Sequence, residues 1–456
     1  MTVLALLVIS ALGIPARAHA DTFADYQIRS DSSFHFPTIG GGTQGPASFD
    51  VLGDGRIVGV STVGDGTGLG TPHVFVETAF GSRTFDVLGT LPLGGGNWFD
   101  FGAAFLQVSP DGQRIAIGDN NGRVGVVATA SLSGIGTAAV AWHDTTSHFP
   151  FLAKWVNDSQ LAFTHFGGVS ALELGPSANP ASPVIRSLVT GIDGASSDLA
   201  IDGDGYLYTA NGFDFNPGGS TTGEIRRFAP TKWQPGLSGG PAANYGNPAD
   251  AEDFITYGSG SSLETDGHGN LAIGGADTSD TPQQNQVGIV RIADHQLRQL
   301  DPNTQNPDDE SNNYTLVHNH VTGEIYVYEP FVILGGVGPI DNTLVHVISP
   351  VPFVLGDMDG DGDLDNFDIQ PFEQALTDTS AYQLSHLMLP DYRRRGDADQ
   401  NGVFDNFDIQ PFEALLTAGG GATLASVPEP SAIVLLATGL IGLSLRSQLR
   451  RRSAGE

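Results

Sequence analysis

The chain has no cysteine among its 456 residues. Disulfides, iron–sulfur clusters, cysteine-ligated zinc and thiol catalysis are therefore all excluded. Without cross-links, the fold must be stabilised by the size of its hydrophobic core or by a bound metal. The length and the 40% hydrophobic content are sufficient for two or three domains with cores of their own.

Basic residues are scarce as well. Lysine and arginine total 20 against 51 aspartates and glutamates, so the net charge is -31, and the only lysines are Lys154 and Lys232. Residues 351–417 carry -11 of this charge and the first 350 residues carry -22. A chain this acidic is repelled by phosphate backbones and anionic lipids, so neither nucleic acid nor an anionic membrane surface is expected as a partner.

The sequence also lacks the short motifs of several enzyme classes. It contains no G-x-S-x-G, H-E-x-x-H or G-x-x-x-x-G-K-[ST] segment. His318 and His320 would share one face of a strand that ran through both, but two imidazoles without further ligands do not define a metal site. We therefore assign no catalytic residue, and a binding protein is a simpler interpretation than an enzyme.

The first twenty residues, "MTVLALLVISALGIPARAHA", are typical of a signal peptide. An apolar core runs from Val3 to Ile14, and Ala18 and Ala20 form the small-x-small pattern of a cleavage site. No basic residue precedes the apolar core. We predict that residues 1–20 direct export and are removed.

The opposite end carries a second targeting pattern. A short apolar run from Ala432 to Leu445 is followed by four arginines. As a helix this run would be roughly 21 Å long at about 1.5 Å per residue, which is short of a bilayer core of about 30 Å. The arginines favour a cytoplasmic end. We expect a transmembrane helix that is inserted in the inner membrane only transiently, with an ordinary tail anchor as the alternative.

The segment before this run contains Val427, Pro428, Glu429 and Pro430, and it resembles the PEP-CTERM sorting signal of Gram-negative bacteria. The resemblance covers residues 427–453, which leaves 418–426 as a linker. It implies recognition and cleavage by an exosortase-type enzyme and a final location at the cell envelope or in the extracellular matrix.

A hairpin pattern recurs six times between residues 21 and 350. Each copy has a short apolar strand, a turn dipeptide that tolerates positive φ, and a second strand of β-branched or aromatic residues. The turns are marked by Gly55, Gly112, Asp158, Gly205, Gly269 and Gly323. Spacings of 57, 46, 47, 64 and 54 residues are typical of a radial repeat with one four-stranded blade per copy. We predict a six- or seven-bladed β-propeller, with a pair of β-sandwiches as the alternative.

The function of such a propeller does not follow from its fold. The clusters around Trp98 and Trp142 would either line a carbohydrate-binding mouth or pack the blades. We expect the propeller to bind polysaccharide or another surface protein. The alternative is an enzyme acting on extracellular carbohydrate, a glycoside hydrolase or lyase. Two carboxylates or three histidines at the mouth of the central channel would favour that alternative.

Two acidic segments, "GDMDGDGDLDNFDIQPFE" and "GDADQNGVFDNFDIQPFE", follow the propeller region. In each, alternating polar residues, glycine at position 6 and an apolar residue at position 8 match a twelve-residue calcium loop. The candidate ligands are Asp357, Asp359, Asp361, Asp363, Asp365 and Asp368 in loop 1, and Asp397, Asp399, Asn401, Val403, Asp405 and Asp408 in loop 2. At position 7, Asp363 and Val403 would contribute backbone carbonyls. A disordered acidic linker, the alternative, would not explain the glycine register or the identical residues 365–373 and 405–413.

Aspartate at position 12, no predicted helix before either loop, and a single helix after each make residues 356–416 similar to dockerin type I modules. The resemblance implies two bound calcium ions and a protein partner, either cohesin-like or another surface protein. Cellulosomal dockerins commonly have Ser-Thr at loop positions 10 and 11, where this chain has Asn366-Phe367 and Asn406-Phe407. Because the carboxylates of one loop repel each other without a cation, folding of the module should depend on calcium.

The predicted architecture is therefore mainly β. A six- or seven-bladed β-propeller at residues 21–350 is followed by a small α-helical dockerin-like calcium module at 351–417 and a C-terminal hydrophobic sorting helix.

Overall fold

The computed structural model describes residues 25–28, 33–40, 43–98, 103–119, 121–195, 198–211, 224–257, 260–267, 269–275, 287–300, 315–328, 343–351, 354–360, 362, 364–379, 381–382, 392–399 and 403–417. The predicted signal peptide with Ala18 and Ala20, the linker and the sorting segment with Val427–Pro430 lie outside these residues. The chain forms two compact units, Met1–Pro350 and Val351–Glu456.

The strands of the first unit form six separate sheets, each of which is one blade of a propeller. Blade 1 consists of β3 (Thr43–Val51), β4 (Ile57–Gly64), β5 (Gly70–Glu77) and β6 (Phe85–Thr90). Blade 2 consists of β7 (Phe105–Val108), β8 (Arg114–Gly118), β9 (Arg123–Ala128) and β10 (Ala141–Asp144). Blade 3 consists of β11 (Ala153–Asn157), β12 (Gln160–Glu173), β13 (Ile185–Ala195) and β17 (Ala243–Asn244). Blade 4 consists of β14 (Leu199–Ile201), β15 (Leu207–Ala210), β16 (Glu224–Phe228) and β18 (Glu252–Thr256). Blade 5 consists of β19 (Gly260–Thr265), β20 (Asn270–Gly275), β21 (Val287–Arg291) and β22 (Leu297–Leu300). Blade 6 consists of β23 (Thr315–His318), β24 (Ile325–Tyr328), β25 (Leu344–Val351), β1 (Asp25–Ile28) and β2 (Phe34–His35).

The first strands of the blades form a closed ring. β3, β7, β11, β14, β19 and β23 each contact the next in this order, and β23 contacts β3. The fold is therefore a six-bladed β-propeller. The prediction of a propeller is confirmed, and both the seventh blade and the alternative of two β-sandwiches are wrong.

The hydrophobic core is divided among the six blade interfaces. Blade 2 illustrates the arrangement: Ile115 and Ile117 on β8 pack toward blade 1, whereas Ala116 between them packs toward blade 3. Successive side chains of a strand point to opposite faces of its sheet, so a blade that is covered on both faces needs an unbroken apolar strand. This requirement explains why the second strand of each predicted hairpin is mostly apolar, with small hydroxyl residues such as Thr62 at the remaining buried positions.

The six predicted turns all connect the first and second strands of a blade. Gly55 lies between β3 and β4 with φ of 85°, and its N–H donates to the carbonyl of Leu52 at 2.8 Å. The backbone at Asp202 and Gly205, which join β14 to β15, makes the equivalent bond at 2.9 Å. The prediction that these residues form a hairpin turn is confirmed.

The N-terminal strands close the ring by pairing with the last blade. Phe34 and His35 of β2 lie antiparallel to Val345 and Leu344 of β25, and β1 pairs with the same strand. This pairing joins segments more than 300 residues apart, and it had no local signal in the sequence. The short helix α1 (Pro230–Leu237) and the 3-10 segment Thr129–Thr137 were likewise not predicted.

Within the described residues, the second unit contains parts of the two acidic loops and the helices α2 (Ile369–Thr377), α3 (Tyr392–Gly396) and α4 (Ile409–Thr417). Each loop leads through a 3-10 turn, Asn366–Asp368 or Asn406–Asp408, into its helix. Pro371 and Pro411 lie in the first helical turn, as predicted, where the missing N–H has no partner to lose.

The two outgoing helices share one core. The rings of Phe372 and Phe412 are stacked with centroids 4.0 Å apart, and both residues are buried. Leu364 at position 8 of loop 1 is buried in the same cluster. The expectation that no helix precedes loop 2 is wrong: α3 forms there because Tyr392 is buried in this core, and tertiary packing outweighs the weak local preference.

Candidate calcium loops and channel residues

Loop 1 brings three carboxylates together. One oxygen from each of Asp357, Asp359 and Asp368 lies within 4.8 Å of the others. Calcium binds oxygen at about 2.3–2.6 Å, so two ligands of one ion are at most about 5 Å apart. The spacing of this triad therefore fits a single calcium ion.

The backbone of loop 1 wraps around Asp357. Its Oδ1 accepts from the N–H of Gly360 at 2.7 Å and its Oδ2 from that of Gly362 at 3.2 Å. Both glycines have positive φ, 80° and 99°, which residues with a side chain rarely adopt. The glycine at position 6 thus has the turn-forming role that the sequence predicts.

Asp368 closes the loop at position 12. Its Oδ1 accepts from the N–H groups of Met358 and Asp359 at 2.6 and 3.0 Å, and its Oδ2 accepts from Asp365 N–H at 2.8 Å. A carboxylate has about four lone-pair sites, so these three bonds orient the group and leave acceptor capacity on Oδ2 for a cation.

Loop 2 repeats the arrangement. Asp397, Asp399 and Asp408 form a second triad within the same 4.8 Å limit. Asp408 accepts from the N–H groups of Asp399 at 3.1 Å and Asp405 at 2.8 Å, as Asp368 does in loop 1. The sequence repeat is therefore also a repeat of side-chain geometry.

The remaining predicted ligands have other positions. Asp365 and Asp405 do not join the triads, and each accepts instead from the N–H two residues later, at 2.6 and 2.8 Å, which caps the 3-10 turn. Val403 is 56% exposed, and because its side chain has no donor atom, only its backbone carbonyl is suited to metal binding. Asp361, Asp363 and Asn401 lie outside the described residues. Their ligand roles stay predictions.

The electrostatics of loop 1 favour a bound cation. Burial raises the pKa of Asp357 to about 6, and although Arg395 lowers it, the neighbouring Asp368 and Asp359 raise it further. Burial also raises the pKa of Asp368 to about 6 against the effect of its backbone N–H donors. The loop therefore holds more buried negative charge than its own donors compensate, and a divalent cation would supply the missing positive charge.

Sequence reasoning did not identify Arg395. Its side chain is fully buried, its Nη1 donates to Asp357 Oδ2 at 2.7 Å, and its carbonyl accepts from Gly356 N–H at 2.8 Å. Arg395 lies two residues before loop 2, where the first copy has Leu355. The sequence signal for Arg395 was the replacement of an apolar residue in the first copy by a charged residue in the second.

A second charged cluster lies on the innermost strands of the propeller. Lys154 on β11 in blade 3 forms an ion pair with Glu264 on β19 in blade 5, and both side chains are mostly buried. Since blade 4 lies between these blades, the pair crosses the central channel, where both residues line a cavity of about 190 Å³. Burial acts to lower the pKa of Lys154, but Glu264 and Asp198 outweigh it and the pKa is raised. Lys154 is thus a cation and not a free amine.

Two aspartates near this pair connect neighbouring blades. Asp50 Oδ2 accepts from Val108 N–H at 2.7 Å, and Asp198 Oδ2 accepts from Leu263 N–H at 3.1 Å. Burial raises the pKa of both aspartates to about 6, although these backbone bonds and Lys154 act in the opposite direction. The carboxylates at the channel are therefore engaged in blade-to-blade bonds.

The aromatic clusters serve blade packing. Trp98 is 1% exposed, and its Nε1 donates to Thr62 Oγ1 at 2.8 Å. Trp142 packs against Trp98 and donates to the carbonyl of Pro92 at 3.1 Å. Trp98 is buried and Trp142 is partly buried against it, so both tryptophans take part in blade packing. His318 and His320 do not share one face of a strand, because β23 ends at His318 and does not extend to His320.

Comparisons with known proteins identify the C-terminal segment and report similar structures. The PEP-CTERM protein-sorting motif matches residues 426–452. No match was found among curated proteins. Among solved structures, the β-propeller domain of Cps50 (Swd1) from Myceliophteria thermophila is 12% identical with a TM-score of 0.40, covering 68% of this chain and 98% of that one. A structural genomics protein of unknown function from Bacteroides thetaiotaomicron is 13% identical with a TM-score of 0.41, covering 67% and 72%.

The sorting motif implies an exported protein that is directed to the cell envelope and processed by an exosortase. Together with the ring of six blades, it defines the class: an exported, exosortase-sorted β-propeller protein. Within the part of the chain that the structure describes, no helix is long and apolar enough to cross a membrane. The predicted transmembrane helix lies outside that part.

Proposed function

We propose that this protein is an envelope or matrix protein in which a propeller binds an extracellular ligand and a calcium-dependent module binds a protein partner. The observation that carries the calcium proposal is the pair of aspartate triads at loop positions 1, 3 and 12. The bound ions would supply the positive charge that the buried carboxylates lack.

Two exposed phenylalanines support a protein partner for the module. Phe367 and Phe407 are 73% and 78% exposed, at the same position of the two loops. Large apolar side chains that are held in solvent at matching sites are typical of interaction surfaces. These are also the positions that the dockerin resemblance implicates, so a cohesin-like or other surface protein is the proposed partner.

Among the described channel residues, the carboxylates that the enzyme alternative would use are already engaged. Asp50 and Asp198 accept backbone N–H groups of the next blade, and Glu264 is paired with Lys154. We therefore propose binding, with polysaccharide as the propeller's ligand at the cell envelope.

Calcium titration of the full chain by isothermal titration calorimetry tests the proposal. We expect two ions to bind, and Asp368→Asn and Asp408→Asn should each remove one of them. The amide keeps an acceptor for the backbone but loses the charge. Asp378→Asn, an exposed acid just after α2, is the matched control and should leave two sites. No calcium uptake, or two ions in all variants, would contradict the proposal.

A further inference from the structure

A buried arginine bonds to the first ligand residue of loop 1. The side chains of Arg395 and Asp357 are both fully buried, and Arg395 Nη1 lies 2.7 Å from Asp357 Oδ2. The carbonyl of Arg395 also accepts from the N–H of Gly356 at 2.8 Å, which ties the backbone before loop 2 to the backbone before loop 1. A positive charge is therefore held at a candidate calcium ligand by side-chain and backbone bonds together.

This arginine competes with a cation for Asp357. A carboxylate has about four lone-pair sites, two on each oxygen. Asp357 Oδ2 accepts from Arg395 Nη1 and, at 3.2 Å, from the N–H of Gly362, whereas Oδ1 accepts from the N–H of Gly360 at 2.7 Å. Both acceptor sites of Oδ2 are thus in use, and an ion in the loop can bind Asp357 only through Oδ1.

The charge of Arg395 also opposes a bound ion. Calcium in loop 1 would contact the carboxylates at positions 1, 3 and 12, and Arg395 bonds to the first of them. Like charges repel each other most strongly where water is excluded, and Asp357, Asp368 and Arg395 are at most 1% exposed. The guanidinium therefore lowers the attraction of loop 1 for a divalent cation.

The two loops differ in the number of acids that they carry. Loop 1 has six aspartates in its twelve positions and loop 2 has four, because Asp361 and Asp363 are replaced by Asn401 and Val403. The affinity of a calcium loop rises with the number of charged ligands. By its own acids, loop 1 would bind calcium more tightly than loop 2, and Arg395 places one positive charge at the loop with the larger number.

We propose that Arg395 sets the calcium affinity of loop 1. Its charge offsets part of the excess of acids and lowers the affinity of loop 1 toward that of loop 2, so that both loops fill over one range of calcium concentration. This inference rests on the proposed calcium binding of the module. Arg395 is a positioning residue and not a ligand, because a guanidinium has no acceptor atom and acts on the ion through Asp357 and through its charge.

Calorimetric calcium titration of single-site variants of the full chain tests this inference. Asp408→Asn leaves loop 1 as the intact site and Asp368→Asn leaves loop 2, so the ratio of the two affinities compares the loops. We expect affinities of the same order. Adding Arg395→Met to both variants should raise the ratio in favour of loop 1 by about tenfold or more, because the repulsion is lost at loop 1. Lost stability of the core that α2 and α4 share lowers both affinities alike and leaves the ratio unchanged.

Two further variants serve as controls. Arg395→Lys keeps the charge and should keep the ratio, and so should Arg393→Met, which changes an exposed residue of the same helix. With Arg395→Met, an unchanged ratio would overturn the inference. A ratio that moves toward loop 2 would overturn it too, because Arg395 would then only hold Asp357 in place.

Hydrogen exchange of the chain with both loops intact is the second measurement, and it decides the question if a single-site variant does not fold. Arg395→Met should lower the calcium concentration at which peptides of loop 1 become protected, relative to peptides of loop 2. Equal shifts of the two loops would overturn the inference. No calcium uptake by the original chain would refute the calcium proposal itself, whereas calcium binding with an unchanged ratio refutes only the role of Arg395.

Discussion

The guanidinium of Arg395 donates to Asp357 Oδ2 across 2.7 Å, and neither side chain is exposed to solvent. Asp357 is the first residue of loop 1, and Arg395 lies two residues before loop 2. The bond therefore couples the start of one loop to the start of the other. It also provides a buried positive charge at the first triad.

Replacing Arg395 by methionine tests this coupling. In the calcium-loaded module, Asp357 would lose its buried cationic partner, so the free energy of unfolding should fall by up to about 3–5 kcal/mol. The loss is reduced to the extent that the ion supplies positive charge in the same loop. Hydrogen exchange of the amides in α2 and α4 in the presence of calcium measures it.

Arg393→Met is the control for this change. Arg393 is exposed and lies two residues from Arg395 on the same short helix. Its replacement should change the exchange rates little with or without calcium. An Arg395 variant that behaves like the Arg393 variant would show that the buried ion pair does not stabilise the module.

Calcium affinity should depend on pH through loop 1. Folding without metal raises the pKa of Asp357 and Asp368 from 3.8 to about 6. Between about pH 4 and pH 6, the two carboxyl groups bind more protons in the folded state than in the unfolded state. Their contribution to the free energy of unfolding therefore falls as the pH rises from about 4 to above 6. Calcium needs the ionised carboxylates, so its affinity should rise over the same interval. Calorimetric titration at about pH 5 and about pH 7.5 measures the change; an affinity that is equal at both would contradict this account.

The channel ion pair should stabilise the propeller. Lys154 and Glu264 have side chains only 15% and 16% exposed, so Lys154→Met leaves buried carboxylates without their cation and should cost about 3–5 kcal/mol. Lys232→Met is the matched control, because Lys232 is 42% exposed and its ion pair should contribute about 0–1 kcal/mol. All four tryptophans lie in the propeller, so urea unfolding followed by tryptophan fluorescence reports on this unit alone. Equal midpoints for the two variants would refute the assignment.

The sorting motif predicts a processed C-terminus. The chain recovered from the envelope of a host with an exosortase should lack Arg450, Arg451 and Arg452, because cleavage at the motif removes everything after it. Alanine at Pro428, Glu429 and Pro430 should preserve the full length, whereas Glu456→Ala, beyond the matched segment, should not prevent cleavage. Mass spectrometry of the C-terminal peptide distinguishes these forms; a full-length chain at the surface would contradict the prediction.

Local sequence signals were enough to predict most of the propeller. A tight turn needs a residue that tolerates positive φ, and a strand buried on both faces needs mostly apolar side chains, so the hairpin at Gly55 could be recognised from a few residues. The ring closure could not be recognised in this way. Pairing of Phe34 with Val345 depends on residues that only the completed ring brings together.

The same distinction applies to the sites. The triads of Asp357, Asp359 and Asp368 and of their twins follow from the register of one twelve-residue loop, which the sequence contains in full. Arg395 and Lys154 were not predicted as partners, because each finds its carboxylate on a distant element.

Hydrogen exchange of the intact chain, with calcium and with a calcium chelator, tests most directly whether calcium folds the module. The account predicts that the amides of α2 and α4 are protected with calcium and lose that protection with chelator, while the strands of the propeller exchange equally in both. Equal protection of α2 and α4 in the two conditions would contradict it.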